Sequence, residues 1–364
     1  MRVGLLCGRH LPEQDGVADY TARLAAALTA YGVEPVLVGG EGGAGTVVTD
    51  RWDLPGTLRA ARALRRLDLD VVHVQWAPSA YGFRGGVGLL PLLLRGTPVV
   101  TTLHEYGWWS WPARVPERLW RLLERRGWAD REGLLLPTRS RAVLATNDAH
   151  ARAQRTGRAP MVVPIGANVE VTAPPAERTA GLVVFFGFVH PVKGVRYLLE
   201  ALALLREQGR ELTLVVAGGF TSLALPQDEA QAFRAELEQL AHGQPVRFTG
   251  HIDAAEVSVL LRAAELVVLP LTAGVTTRNG ALLAALAHGA PVVATAPDDP
   301  DPALVDGSNV LLLPERRDGP ALARLIARAL DDPELREQLA CGGQRLAADR
   351  SWDAVARRHL ELYA

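Results

Sequence analysis

The sequence predicts an α/β protein with two doubly wound domains, and three observations lead to this fold class. The chain has 364 residues, more than one hydrophobic core usually serves, so two domains of roughly 150 to 200 residues are expected. Short apolar runs rich in β-branched residues recur along the chain, each bounded by turn residues. Segments with helical period lie between several of them, and this alternation is typical of parallel sheets covered by helices.

The first half of the chain contains six predicted strands. They begin near residues 3, 35, 70, 97, 142 and 161, with helical segments over 18–31 and 57–67. The opening run MRVGLLCGRH is too short for a signal peptide and is interpreted as the first strand. No membrane span is expected, since the longest apolar candidate, VGLLPLLLRG, is short and is broken by Pro91.

The second half repeats the pattern after a proline-containing linker. Six more strands begin near residues 181, 211, 245, 264, 290 and 309, separated by helices near 194–207, 228–242, 254–263, 280–288 and 319–330. The stretch VPIGANVEVTAPPAERTAG between the halves has little helical or strand period. It predicts domains 1–171 and 172–345, followed by a segment 346–364 whose amphipathic helix is expected to pack against either domain.

Composition narrows the function classes. A hydrophobic content of 48% with a formal charge of −1 describes an ordinary globular protein and gives no electrostatic case for nucleic-acid binding. Two cysteines, Cys7 and Cys341, are too few for a disulfide framework, which fits a cytoplasmic location. No aspartate or histidine cluster has metal-ligand spacing, so no metal is expected. The expected partner is a small molecule, and the sequence does not predict the oligomeric state.

The stretch LPLTAGVTTRNGALLAALAHGAPVVAT, residues 269–295, predicts a phosphate site. Its helix begins near Gly280 after Asn279, which is available as an N-cap. The free amides and the dipole at such a helix start favour an anion. Arg278 adds a planar cation, and Thr276 and Thr277 add hydroxyl donors. The alternative is a solvated loop with an unrelated arginine.

Lys193 is a second candidate cation. It follows the strand near 181 and Gly187, again at a strand's carboxyl end, where lysine can act as a point charge on a leaving diphosphate. Ligands of doubly wound sheets bind beyond these ends, so we expect a cleft between two facing domains to hold the site. The default interpretation of a single lysine is a surface position.

Residues 172–345 resemble the nucleotide-sugar-binding domain of family 4 glycosyltransferases, which have the GT-B architecture of two facing Rossmann-like domains. An ordered series of motifs carries the resemblance: FFGFVHPVKGVRYLLEAL, LTLVVAGG, VRFTGHID, AAELVVLPL, ALLAALAHGAPVVAT and LVDGSNVLLLP. It implies transfer of a sugar from a nucleoside diphosphate sugar with retention of configuration, without a metal or further cofactor. Domain closure about the linker would assemble the site.

Two departures separate this sequence from the family pattern. The family arginine five positions before the lysine falls on Phe188, and the two family glutamates fall on Thr276 and Ala284. We hypothesise that Arg278 replaces the missing cation.

The resemblance also supplies the remaining site residues. The N-terminal domain resembles the family more loosely and is expected to hold the acceptor. His104 resembles the family histidine that contacts the donor sugar, although a lone histidine is usually structural. The other predicted contacts are Gly16, Gly187, Thr276, Thr277, Asn279 and Gly280 for the diphosphate or donor, Gly218, Gly219 and His251 for the nucleotide, and Asp15, Gln75, Trp76, Glu105 and Trp108 for the acceptor.

The basic, tryptophan-rich segment from Trp108 to Arg131 has three interpretations. It could be a helix packed on its own domain, a wall of the acceptor pocket, or a peripheral contact with an anionic membrane surface, where a lipid-linked acceptor would be found. Two alternatives to ordinary glycosyl transfer also stay open. They are a coupling enzyme with a nitrogen or sulfur acceptor and a non-catalytic nucleotide-sugar binder.

Overall fold

A computed structural model describes residues 1–8, 16–40, 45–49, 51–111, 115–220 and 226–363. The chain divides into two compact units. Unit 1 comprises Met1–Ile165 and Trp352–Ala364, and unit 2 comprises Gly166–Ser351.

Unit 1 contains a seven-stranded parallel sheet with the order β3-β2-β1-β4-β5-β6-β7. The strands are β1 (Arg2–Leu6), β2 (Glu34–Gly39), β3 (Thr46–Val47), β4 (Val71–Trp76), β5 (Val99–Leu103), β6 (Ala142–Ala145) and β7 (Met161–Val162). The helices are α1 (Gly16–Thr29), α2 (Leu54–Leu64), α3 (Leu90–Leu93), α4 (Glu117–Arg125), α5 (Leu136–Arg139) and α6 (Asp148–Ala153). All six predicted strands are confirmed. The two-residue β3 was not predicted because both of its side chains are exposed and carry no apolar pattern.

Unit 2 contains a six-stranded parallel sheet with the order β10-β9-β8-β11-β12-β13. The strands are β8 (Thr179–Phe186), β9 (Thr213–Ala217), β10 (Val246–Gly250), β11 (Ala264–Leu269), β12 (Val292–Thr295) and β13 (Leu311–Leu313). The helices are α7 (Val195–Glu207), α8 (Gln227–Ala241), α9 (Ala254–Ala263), α10 (Gly280–Ala287), α11 (Gly319–Asp331) and α12 (Pro333–Ala348). Of these, only α12 was not predicted. It begins at the Asp332 cap, whose carboxylate accepts from the Leu335 amide over 2.9 Å.

The last helix, α13 (Trp352–Tyr363), belongs to unit 1. Its buried face, which includes Val355 and Tyr363, joins the same hydrophobic cluster as Leu24 and Leu28 of α1. This contact decides between the two packing partners that the sequence left open.

The domain boundaries differ from those predicted. Unit 2 begins at residue 166 rather than 172 because Val169 is only 5% exposed and packs in the unit 2 core. The Thr172 amide also donates to the Ser258 hydroxyl of α9 over 3.1 Å. Residues 346–351 stay with unit 2 rather than joining the last helix, since Ala347 closes the α12 side of that core. A proline-containing sequence therefore marked the region of the boundary but not its position.

Candidate functional site

The loops that follow β8, β9 and β10 converge at the carboxyl edge of the unit 2 sheet. Gly218 has a φ of 147°, and a methyl group there would come within 2.0 Å of the Gly187 carbonyl oxygen. Only glycine fits such an approach. A methyl group on Gly219 would lie 3.9 Å from the amide nitrogen of His251. The structure thus brings Gly187 together with the three predicted nucleotide contacts at one edge, where the Gly187 amide donates to the Ala217 carbonyl and the Gly219 carbonyl accepts from the Val189 amide.

Lys193 is held at the same edge by contact between two loops. It ends a short 3-10 turn before α7. The Thr272 amide, from the loop after β11, donates to the Val192 carbonyl over 3.0 Å. Gly194 has a φ of 70°, and a methyl group there would come within 1.9 Å of the Pro270 carbonyl oxygen. Lys193 is therefore fixed beside the loop that leads to the predicted phosphate site.

Burial makes the charged form of the Lys193 side chain less favourable. The side chain is half-buried, and loss of hydration lowers the pKa of its ammonium group from the ordinary value. An anion in contact would oppose this effect, because it favours the charged form. Lys193 is also the only lysine of a chain that has 39 lysines and arginines together. A single lysine in a chain otherwise rich in arginine is visible in the sequence and singles out this position.

Asn279 does not cap α10 as predicted. It occupies the N-cap position without a side-chain hydrogen bond to the helix. Its Oδ1 atom instead accepts from the Thr276 amide over 2.6 Å, which closes a tight turn before the helix. The first amides of α10 consequently have no cap from this side chain, as an anion site requires.

Thr277 is engaged differently from the prediction. Its amide and hydroxyl both donate to Oδ2 of Asp301, over 2.7 and 2.8 Å. Because a carboxylate already accepts both donors, Thr277 is removed from the predicted diphosphate contacts. Asp301 had no motif to reveal it, since it lies in the acidic stretch APDDPD after β12. Arg278 follows Thr277 on the exposed side of the same loop.

The start of α10 faces two other segments of unit 2. A methyl group on Gly187 would lie 3.9 Å from the Ala281 side chain, in the first turn of the helix. The Asn168 side chain packs against Gly280, 3.0 Å from where a methyl group would stand. Its Oδ1 is buried and has no hydrogen-bond partner in the part of the chain that the structure describes, and such an acceptor is costly unless something donates to it. Asn168 was not predicted because it lies in the segment interpreted as a linker.

The structure describes the surroundings of Phe188 and Ala284, two positions where the sequence was expected to depart from the family pattern. Phe188, at the position of the family arginine, is 44% exposed. Ala284, at the position of the second glutamate, is fully buried in the hydrophobic core of unit 2. The face of α10 that carries Ala284 is therefore an apolar packing surface.

In unit 1, Gln75 and His104 meet at the carboxyl edge of β4 and β5. The Gln75 Oε1 atom lies 2.9 Å from the His104 Nε2 atom. An amide oxygen only accepts, so the imidazole carries its proton on Nε2 and presents Nδ1 as an acceptor. The Gln75 Nε2 atom is buried and without a partner among the residues described. This pair therefore retains hydrogen-bonding capacity at the strand ends.

Helix α13 supports His104 through Tyr20. The Tyr20 and His104 rings meet edge to face, 4.6 Å between centroids. The His359 Nδ1 atom lies 2.7 Å from the Val355 carbonyl oxygen, so it carries the proton and leaves Nε2 to accept from the Tyr20 hydroxyl, 3.4 Å away. Burial lowers the pKa of His104 to about 3, with His150 and His359 adding to the effect. The His104 imidazole is therefore neutral at physiological pH.

Other predicted unit 1 contacts have structural roles or lie outside the description. Trp76 is fully buried and its ring stacks on Tyr81 at 5.6 Å, so it is a core residue rather than an acceptor contact. The strand-end histidine at 73 is also buried, with both ring nitrogens within hydrogen-bond distance of hydroxyl groups. Both side chains are buried because β4 is covered on both faces. A methyl group on Gly16 would meet no described atom within 4 Å, and Asp15 lies outside the described residues.

The loop after β5 presents Glu105 and Trp108. The Ser79 hydroxyl donates to Glu105 over 3.1 Å, and Trp108 is 60% exposed. The Gly107 amide between them donates to Glu132 over 2.7 Å. Burial raises the pKa of the Glu132 carboxyl to about 7, and the nearby acidic residues Asp130 and Glu105 contribute. Glu132 was not predicted, because its neighbour Arg131 makes the segment look like a solvated charge run.

The basic helix α4 is mostly exposed. Only Trp120 of this helix is buried. Leu119 is 42% exposed and Leu122 is 46% exposed, and Trp128 beyond the helix is 53% exposed. Arg131 bonds Glu117 and Glu124 and so ties both ends of the helix to the next turn. Helix α4 therefore packs on its own domain only through the face that carries Trp120.

Within the described ranges, no group of three histidine, cysteine or acidic residues could hold a metal ion. None of the helices found in that part of the chain is long and apolar enough to cross a membrane.

Comparison with known proteins finds a family model that matches part of unit 2. Residues 180–332 match the family model described as glycosyl transferases group 1. This range contains β8 except for its first residue, all of β9 to β13, the Lys193 turn and the start of α10, so it covers every unit 2 residue named in this subsection except Asn168.

Similar proteins cover most of the chain. A D-inositol 3-phosphate glycosyltransferase of Jonesia denitrificans is 29% identical, over 86% of this chain and 78% of its own length. An MMP alpha-(1->4)-mannosyltransferase of Mycolicibacterium hassiacum is also 29% identical, over 84% and 74%. Among solved structures, Anabaena Alr3699/HepE in complex with UDP and glucose has a TM-score of 0.70 at 17% identity, covering 99% of this chain and 98% of that one. The two Rossmann-like units are thus those of GT-B glycosyltransferase structures.

Proposed function

Because the chain is a glycosyltransferase with a group 1 domain at 180–332, we propose that it transfers a sugar from a nucleoside diphosphate sugar with retention of configuration. The observation that carries the proposal is the convergence of Lys193, the glycine loops and the uncapped start of α10 at one edge of unit 2. A diphosphate would accept from the first amides of α10 and face the ammonium group.

The residues present fit the chemistry of a leaving diphosphate. Departure of the nucleotide develops negative charge, and preorganised donors stabilise it most where water is excluded. Lys193 supplies a point charge, and its half-buried position strengthens the interaction. Arg278 supplies a planar cation beside the same helix start. We propose that these groups replace a metal ion and that the nucleotide sugar is the only co-substrate.

In unit 1, His104 is proposed to meet the donor sugar. A neutral imidazole with Nδ1 as acceptor can take a hydrogen bond from a sugar hydroxyl, and its low pKa keeps it neutral in acid conditions as well. The names of the two relatives favour a hydroxyl of a cyclitol or sugar as the acceptor. Transfer to nitrogen or sulfur has no observation in its favour.

One observation favours a second candidate, a non-catalytic nucleotide-sugar binder. The positions of both family glutamates hold Thr276 and the buried Ala284, so neither supplies a carboxylate to the donor. Product analysis with a panel of nucleotide sugars separates the candidates. Binding without turnover of any donor would favour the binder.

The sequence permits an unusually direct binding test. Reductive methylation with 13C-formaldehyde labels Lys193 and the α-amino group alone, because the chain has no other lysine. The Lys193 signal is expected to move on addition of UDP, GDP or ADP, and its titration should show a pKa below that of an exposed lysine. A signal that no nucleoside diphosphate moves would overturn the proposed site.

A matched pair of variants tests the ammonium group. Lys193→Ala should weaken binding of the preferred nucleoside diphosphate by roughly 10- to 100-fold, as expected for a lost charge-assisted hydrogen bond. Arg196→Ala removes a nearby cation of α7 that instead pairs with Glu236, so it should leave binding unchanged. Thermal shift against the nucleotide panel measures both, since a bound ligand raises apparent stability.

We further propose that α4 contacts an anionic membrane surface, which would bring a lipid-linked acceptor within reach. The exposed leucines Leu119 and Leu122 lie among arginines, as in interfacial helices. The double variant Leu119→Glu, Leu122→Glu should lose co-sedimentation with vesicles of phosphatidylglycerol. Equal sedimentation of both proteins would contradict this contact. The cytoplasmic location stays a prediction.

A further inference from the structure

Phe83 has a conformation that its own chemistry disfavours. Its φ is 57°, in the left-handed region where a side chain is crowded by its own backbone. Its side chain is also 51% exposed. An exposed aromatic residue on a left-handed backbone gains little from burial, so folding alone does not account for it. Such outliers are found where a side chain must be presented in a fixed direction.

Trp108 is presented beside Phe83 from the next loop. The two rings meet edge to face, with 6.1 Å between centroids. Trp108 is itself 60% exposed. It follows Gly107, whose φ of 102° and hydrogen bond to Glu132 fix the direction of the chain. The two rings therefore form a rigid aromatic pair that water contacts on both members.

Position and local chemistry indicate what the aromatic pair contacts. The loops after the adjacent strands β4 and β5 carry the two rings, and the Ser79–Glu105 hydrogen bond joins these loops. The pair thus lies at the carboxyl edge of the sheet, where doubly wound domains bind ligands. Glu105 and His104, on the same loop as Trp108, offer hydrogen-bond acceptors.

We propose that Phe83 and Trp108 form a stacking subsite for a neutral polyol ring of the acceptor, a sugar or cyclitol. The C–H face of such a ring carries partial positive charge and packs on the negative face of an indole. Its hydroxyls would donate to Glu105. A carboxylate here disfavours a phosphate at this point of the ligand. The inference rests on the proposed function, because it takes unit 1 as the acceptor side.

The test measures ring binding directly by saturation-transfer NMR with the whole protein. The probes are methyl α-D-mannopyranoside and myo-inositol, and UDP, GDP and ADP are measured on the same samples by thermal shift. We expect saturation of the ring C–H protons by the wild-type protein. Trp108→Ala and Phe83→Gly should each reduce that signal at least fivefold.

Phe83→Gly separates binding from folding. Glycine relieves the left-handed backbone, so the urea midpoint of unit 1 should stay equal or rise while the probe signal falls. Asp68→Gly is the matched control. It relieves a φ of 49° at an exposed turn before β4, at the opposite edge of the sheet, and should leave the signal unchanged.

Three results would overturn the subsite. They are no saturation of either probe by a protein that binds a nucleoside diphosphate, wild-type signal in both aromatic variants, or equal loss in the Asp68→Gly control. If the same aromatic variants instead abolished vesicle binding, the pair would be a membrane contact. A protein that bound the rings but no nucleotide would refute the proposed function and leave the subsite standing.

Discussion

Glu132→Gln should make unit 1 more stable at alkaline pH, which is unusual for removal of a hydrogen-bonded carboxylate. Glu132 is 3% exposed, and its Oε2 atom accepts from the Gly107 amide over 2.7 Å. Its Oε1 atom is buried, and none of the described residues donates a hydrogen bond to it. Glutamine keeps the shape of the side chain and the acceptor for Gly107, and it removes the ability to ionise.

The magnitude follows from the pKa of the carboxyl group. Burial raises it from 4.5 to about 7 in the folded protein. Between these two pH values the unfolded chain loses its proton while the folded protein keeps it, so stability falls as pH rises. Above pH 7 both forms are ionised and the loss is complete. A difference of about 2.5 in pKa, at about 1.36 kcal/mol for each, amounts to about 3 kcal/mol.

Tryptophan fluorescence isolates this effect. All eight tryptophans of the chain lie in unit 1, so urea unfolding followed by their emission reports on that unit. The stability of the glutamine variant relative to wild type should rise by about 3 kcal/mol between pH 4.5 and pH 8. Because a constant packing defect cancels in this difference, parallel pH curves for the two proteins would refute the reasoning.

Glu124→Gln is the control of opposite sign. The Arg131 side chain bonds Glu124 and holds the pKa of its carboxyl below the usual value. Its contribution is present above the unfolded pKa and is lost as pH falls through the folded one. The variant should therefore lose stability at pH 8 relative to wild type. Because Glu124 is partly exposed, the effect should be small.

Three further outcomes are expected. Arg278→Ala should lower turnover several-fold to about a thousandfold if the guanidinium steadies the leaving group, as measured by single-turnover kinetics; unchanged kinetics would remove it from the site. Tyr20→Leu should expose His104 and raise its pKa from about 3 toward the ordinary 6.5, so histidine NMR should show protonation between pH 5 and 7; an unmoved titration would show that Tyr20 of α1 does not keep this imidazole buried. Gly218→Ala should strongly destabilise unit 2, since its methyl group would stand 2.0 Å from the Gly187 oxygen; calorimetric unfolding identical to wild type would contradict that packing.

The strand positions, and the sheet edge at which the loops of unit 2 meet, could be predicted for physical reasons. Buried parallel strands are continuous apolar runs, and this pattern marked every strand except the exposed β3. The carboxyl ends of parallel strands share one edge, so loops distant in sequence, such as those of Lys193 and Gly218, were expected to meet. A local sequence pattern therefore predicts where distant loops meet, because the geometry of parallel sheets is the same in every doubly wound domain.

The failures come from contacts between residues remote in sequence. Trp76 was assigned to a ligand because nothing local reveals that its ring stacks on Tyr81. Thr277 was assigned to a phosphate because the Asp301 carboxylate that accepts from it lies 24 residues away. Glu132 was overlooked since charge in a sequence does not show burial. Each error concerns a polar or aromatic group whose partner only the folded chain supplies.

Helix α13 has a consequence for how the chain folds during synthesis. Unit 1 starts at the first strand, yet part of its core, with His359 and Tyr363, is translated after all of unit 2. On the ribosome, unit 2 can reach its native state while the earlier unit still exposes the apolar surface of α1. Nascent-chain intermediates of this protein should therefore have a folded unit 2, while unit 1, most of which is synthesised earlier, still has an incomplete core.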